Sequence, residues 1–158
     1  MLLWAIFRLF FIFLHVITNI LTKIEMMKKK KILFAIGTNS PLAKDRVIWM
    51  KARIFGLFGD DIRFTFLVET DPIGIVSPKF TNCVGIAFTT LPLERIKKTF
   101  KEIEKECGDT AEKRKNNLIE MDIDILEYDG KRYHEKDWGR QYIIDMVEEA
   151  EILKEEII

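Results

Sequence analysis

The sequence predicts an α+β fold, an antiparallel sheet with helices packed on one face and a further helix at the C-terminus. Three observations carry this. Four runs rich in β-branched and aromatic residues occur at 32–36, 62–69, 80–89 and 118–126, each of strand length. Apolar stripes at helical spacing lie between the first and second runs and between the third and fourth, as crossover helices require. Gly, Pro, Asn and Asp punctuate the junctions, where chain reversals need their backbone freedom or fixed φ.

In chain order, Ile32–Ile36 is the first strand and Gly37-Thr38-Asn39 its turn. Ser40 is the expected N-cap of the first domain helix, with Pro41 at its first position and Val47, Met50, Ile54 and Leu57 on its apolar face. The helix stops near Gly56–Gly59, a strand follows from Ile62 to Glu69, and Asp71-Pro72-Ile73-Gly74 forms a loop. Phe80–Thr89 is the third strand. Pro92 opens a helix whose stripe is Leu93, Ile96, Phe100, Ile103 and Cys107, closed by Gly108. Asp109–Asn117 reads as a charged loop, Asp129-Gly130 as a tight hairpin turn, and Tyr142–Ile158 as a last amphipathic helix. The order β-α-β-β-α-β is the ferredoxin-like pattern, which hosts RNA-binding domains, metal chaperones and enzymes alike, so side chains must decide the function.

Composition narrows the field. The 158 residues support one domain with a sizeable core, and a formal net charge of zero argues against broad binding to nucleic acid, which needs clustered positive potential. Cys83 and Cys107 have neither metal-type spacing nor a pairing motif, which fits a reducing compartment. With only His15 and His134, a histidine-based triad or zinc site has little material.

Residues 1–26 stand apart from a domain spanning 27–158. Met1–Thr22 is almost wholly apolar, broken by Arg8, His15 and Asn19, and roughly matches the ~20 residues that cross a bilayer. Translation starting at Met26 or Met27, directly before Lys28–Lys31, is one reading; a membrane anchor is the other. A secretory signal lacks both its basic leader and its cleavage site. Either reading leaves the domain cytoplasmic, with the membrane a partner only if residues 1–22 are an anchor.

The stretch richest in chemistry is Leu118-Ile-Glu-Met-Asp-Ile-Asp-Ile-Leu126. On a strand, Asp122 and Asp124 share a face with Cα atoms about 6–7 Å apart, while Met121, Ile123 and Ile125 point into the core. Such a pair suits Mg²⁺, which takes one or two carboxylates plus phosphate oxygens; the alternative is the solvated face of an ordinary strand.

Four motifs, in this order, resemble the 6-hydroxymethyl-7,8-dihydropterin pyrophosphokinase family over about Lys31–Tyr142. They are Ala35-Ile36-Gly37-Thr38-Asn39; Thr70-Asp71-Pro72-Ile73-Gly74 with Phe80-Thr81-Asn82; Glu104; and Asp122-Ile123-Asp124-Ile125-Leu126. The resemblance implies transfer of pyrophosphate from ATP to a dihydropterin alcohol, with AMP leaving. It also implies two Mg²⁺ ions on Asp122 and Asp124, and a pterin held by Thr70, Pro72, Ile73, Asn82 and the aromatic pair Phe80 and Tyr142. Lys101 and Glu104 fall on the ATP side, with Glu104 seating the substrates near the metals. A monomer that binds no nucleic acid is expected.

Two departures qualify the match. The family's Gly-Pro-Arg before the Asp-x-Asp strand is replaced by Asn117-Leu118-Ile119, so Lys113, Arg114 and Lys115 either reach the phosphates instead or form a solvated charge run. The family's ATP-contacting histidine has no clear counterpart, His134 being read as too early in the hairpin. Arg140, two residues before Tyr142, matches the family's arginine and is the remaining phosphate contact and catalytic candidate. A weakened pterin or nucleotide binder is the first alternative. A ferredoxin-like interaction module is the second, using Phe64 and Phe66 on an exposed sheet.

Overall fold

The computed structural model describes residues 2–157. Helix α1 (Leu2–Lys28) precedes strand β1 (Lys30–Thr38), α2 (Ala43–Phe58), β2 (Ile62–Phe64), β3 (Val68–Thr70) and β4 (Phe80–Thr89). Helices α3 (Leu93–Glu106) and α4 (Ala111–Lys115), strands β5 (Asp122–Tyr128) and β6 (Lys131–Arg132), and helix α5 (Gln141–Leu153) complete it. The sheet order is β2-β4-β1-β5-β6, with β3 also on β4, and every pairing is antiparallel. Each crossover helix therefore spans a strand inserted from the other half, which is the expected split β-α-β arrangement.

Alternation along the strands builds two cores. On one face Ile32, Phe34, Ile36, Cys83, Ile123 and Ile125 meet Val47, Met50 and Ile54 of α2 and Ile96, Phe100 and Ile103 of α3. Phe34 anchors this side, its ring 4.9 Å from that of Phe100 and 6.2 Å from that of Phe58. The ring lies over Gly85, its partner on β4, where an added Cβ would come within 2.3 Å of it. On the other face Leu33, Val84, Ile86 and Leu126 receive Ile143, Met146 and Ala150 of α5. The two crossover helices thus share one face, as expected, and the C-terminal helix covers the other. Phe64 packs into the first core and Phe66 is 82% exposed outside any strand, so the two do not form a stacking pair on an open sheet.

Several boundaries differ from the sequence reading. Helix α2 begins at Ala43, with Leu42 rather than Ser40 at its N-cap, because a separate turn forms first. Ser40 N–H donates to Thr38 Oγ1, Leu42 N–H to Ser40 Oγ and Ala43 N–H to the Ser40 carbonyl. Phe58 is buried at its end while Leu57 is only partly so. The expected strand 62–69 breaks at Thr65, whose hydroxyl replaces a backbone carbonyl as the acceptor for Val84 N–H, at 2.9 Å. The charged segment 109–117 contains α4, capped by Thr110. The last helix ends at Leu153 in a short 3-10 turn, and Ile158 lies outside the described residues.

Strand β5 starts only at Asp122. Its register with β1 slips between Leu33 and Phe34, leaving Leu126 as the extra residue of a bulge. That one insertion lets Leu126 join the α5 core while Tyr128 returns to the opposite one. Asp129 and Gly130 both have positive φ, 53° and 78°, as a two-residue primed hairpin turn requires.

Candidate active site

The β1–β5 register sets Asp122 opposite Gly37 and Asp124 opposite Ala35, on the sheet face where α5 begins. The neighbouring Ile123 and Ile125 are locked in the first core, so both carboxylates must point out of it. Asp122 and Asp124 are about one-third exposed. Burial, then the charge of Asp122, pushes the Asp124 carboxyl up to about 6, His134 acting in the opposite direction. Two half-buried carboxylates that repel each other are a fitting donor set for a hard divalent cation, which would relieve the repulsion.

Asp122 and Asp124 form one wall of a cleft that also contains Gly37, Thr70, Ile73, Phe80, Asn82, Arg140 and Tyr142. These come from distant parts of the chain. Strand β4 begins with Phe80 and pairs with β1 so that Asn82 faces Gly37. The Asn82 amide donates to Thr70 Oγ1 at 2.9 Å, which fixes the side chain and aims its oxygen over Gly37. A Cβ at Gly37 would stand 2.9 Å from that oxygen, so glycine keeps the acceptor accessible. From the start of α5, Arg140 reaches the Tyr142 hydroxyl at 3.3 Å and Asp137 at 3.0 Å.

Other candidate residues lie elsewhere. Pro72 does not line the cleft. Glu104 is buried beneath β5, accepting the Ile123 N–H at 2.9 Å and a bond from Lys101 at 2.9 Å; burial raises its carboxyl despite both. It braces the strand carrying the aspartates. Lys113 is held by Glu120 at 2.7 Å and the Gly108 carbonyl at 3.0 Å, and Lys115 is exposed. Arg114 does reach the site: its Nη2 donates to Asp122 Oδ1 at 2.9 Å while Nε binds Asp109 at 2.5 Å.

His134 corrects the sequence reading. Strand β6 is only two residues long, so His134 already lies past the hairpin, with Nε2 3.7 Å from Asp124 Oδ1. Asp137, unnoticed in the sequence, joins them: donor atoms of Asp124, His134 and Asp137 all lie within 4.8 Å of one another. Asp71, from the Thr70–Gly74 motif, also lines the cleft, as do Ile75, Ile143 and Met146, which no motif in the sequence marks. A second groove, between α3 and β5, is lined by Lys97, Phe100, Lys101, Ile125, Tyr133 and His134 and meets the first at Asp124.

Paired carboxylates between a polar-edged aromatic cleft and a second groove, with two arginines at hand and no evident nucleophile among the described residues, suit positioning and charge neutralisation of a phosphoryl group better than formation of a covalent intermediate. A family model, 7,8-dihydro-6-hydroxymethylpterin-pyrophosphokinase, matches residues 33–152, and the chain belongs to this family. Members are ATP-dependent pyrophosphokinases of folate synthesis. No curated protein matches the chain.

Proposed function

We propose that the protein transfers pyrophosphate from ATP to 6-hydroxymethyl-7,8-dihydropterin in the cytoplasm, as a monomer, giving AMP and the pterin diphosphate. The observation that carries this reading is the single cleft uniting Asn82, Phe80 and Tyr142 with Asp122 and Asp124. Asn82 offers a donor and an acceptor to the pterin edge. Phe80 and Tyr142 supply faces on which its ring stacks, and Thr70 and Ile73 close the rim. The hydroxymethyl oxygen then points to the aspartates. Its attack on the β-phosphorus forms the new P–O bond as the bond to the AMP oxygen breaks, and the alcohol proton is released.

Two Mg²⁺ ions, held by Asp122 and Asp124, would neutralise phosphate charge when bound. The chain's own residues position the donor. Arg114, from α4, donates to Asp122, and Arg140, at the N-cap of α5, lines the same cleft; both offer planar forks to phosphate oxygens. His134 stands at the junction with the second groove, whose apolar floor of Phe100 and Ile125 suits the adenine ring and whose Lys97 and Lys101 suit its polar substituents. Arg114 thereby supplies a charge that Ile119 cannot.

The test is AMP release from ATP, Mg²⁺ and 6-hydroxymethyl-7,8-dihydropterin, with a control lacking pterin. Pterin-dependent AMP supports the proposal. Binding of both ligands without AMP would favour a non-catalytic relative, a reading to which the Arg114 ion pairs with Asp109 and Asp122 lend weight.

A further inference from the structure

We infer that α1 is a membrane-spanning anchor that holds the catalytic domain at the cytoplasmic face of a bilayer, with its cleft turned away from the lipid. In α1, every large apolar side chain described from Trp4 to Ile24 is between 36% and 74% exposed. A single aqueous monomer has nothing to cover them, and an apolar surface of this extent marks an interaction site. The occupant is identified by length and chemistry. Ile6–Ile24 is 19 residues long and apolar enough to span a bilayer. At the helical rise it reaches about 28 Å, against about 30 Å of hydrocarbon. Apolar side chains around most of the circumference suit lipid, and the narrow polar stripe of Arg8, His15 and Asn19 holds a single arginine and no acidic residue, whereas a helix lying in the interface needs a strongly charged face.

The polar residues of α1 are compatible with that burial. Thr18 and Thr22 donate their hydroxyls to the carbonyls of Leu14 and Thr18, at 2.8 and 2.9 Å, so neither needs water. Arg8 lies near the N-terminal end of the span, where its long stem can carry the charge to the headgroups. His15 and Asn19 follow Arg8 by seven and eleven residues and so share one face with it.

Orientation follows from the flanks. Lys23 and Lys28–Lys31 cluster at the C-terminal end, which retains that end in the cytoplasm during insertion. Once the domain folds, Lys29 pairs with Asp61 at 2.7 Å and Lys30 with Asp129 at 2.9 Å. These pairs tie the root of the anchor to the domain. Strand β1 then leads from the anchor at Lys30 to the cleft at Gly37, roughly 23 Å further on. Substrates thus reach the site from the solvent side.

The experiment is membrane flotation of the full chain after alkaline carbonate washing, beside the double variant Phe11→Asp, Leu14→Asp. Insertion predicts that the parent floats with the vesicles after washing, and that two charges near the bilayer centre lower the floating fraction at least about tenfold. The variant should keep the parent's domain melting transition, since both residues lie outside the domain. A parent that carbonate extracts, a variant that floats equally, or a cellular protein whose N-terminus is Met26 or Met27 would each overturn the inference.

Discussion

At the residue scale, the site depends on which side chains are locked and which are left to act. Asp122 and Asp124 touch little that the fold needs, whereas Ile123 between them is 3% exposed. Asp122→Ala or Asp124→Ala should therefore lower AMP release by about 10²–10³-fold or more with an unchanged far-UV circular dichroism spectrum. Retained turnover in either variant would remove the aspartates from the mechanism. Gly37 is a quieter determinant. A methyl there meets the Asn82 oxygen at 2.9 Å, so Gly37→Ala should weaken pterin binding about tenfold, the worth of one displaced hydrogen bond, while leaving nucleotide affinity unaltered in calorimetry. Equal loss for both ligands would contradict the role given to Asn82.

At the scale of elements, the wall beside the aspartates is built by an unusual staple. Asn39 follows β1, and its side chain donates to the Asn117 carbonyl and accepts the Ile119 N–H, both at 2.7 Å. Its backbone N–H donates to the Ile119 carbonyl at 3.1 Å. Asn39 is 3% exposed, so Asn39→Ala leaves buried groups unpaired and should cost about 1–3 kcal/mol in urea denaturation. This staple sets the end of the α4 segment, and α4 in turn presents Arg114. Arg114→Lys keeps the charge but cannot bridge Asp109 and Asp122 with one planar fork. It should lower kcat about 10- to 100-fold with little change in melting temperature; full activity would leave the missing family arginine without a substitute.

For the whole molecule, the ends of the domain are joined by charge. Lys31 at the start of β1 binds Glu151 near the end of α5 at 2.6 Å, and Lys154 binds the same carboxylate at 2.7 Å. Burial alone would raise the Glu151 carboxyl, but Lys154 and Lys31 together outweigh it and hold it below its ordinary 4.5. A depressed carboxylate stabilises the fold above its unfolded value and loses that contribution as pH falls through the folded one. Melting curves should therefore show a stability loss below about pH 4.5 that is shallower in Glu151→Gln. Identical slopes in the two proteins would show that the α5 pairing is not felt thermodynamically.

Local chemistry was enough to specify much of this protein. Apolar periodicity and turn residues gave the strand and helix order, because amphipathic faces repeat at spacings that burial imposes, and Asp122-Ile123-Asp124 placed two carboxylates on one face through alternation alone. Phe80–Thr89 and the Asp129-Gly130 turn were legible for the same reason. Contacts between residues far apart in sequence were not. The break at Thr65 depends on a hydroxyl meeting β4, the late start of β5 on Asn39 reaching across some eighty positions, and the covering of the second sheet face on where α5 docks. His134 and Asp137 join Asp124 only because a two-residue β6 and the following turn bring them back over the sheet. Sequence spacing carries local geometry; which distant groups meet is decided by packing, since the burial of both sheet faces at once leaves the chain one arrangement that satisfies them.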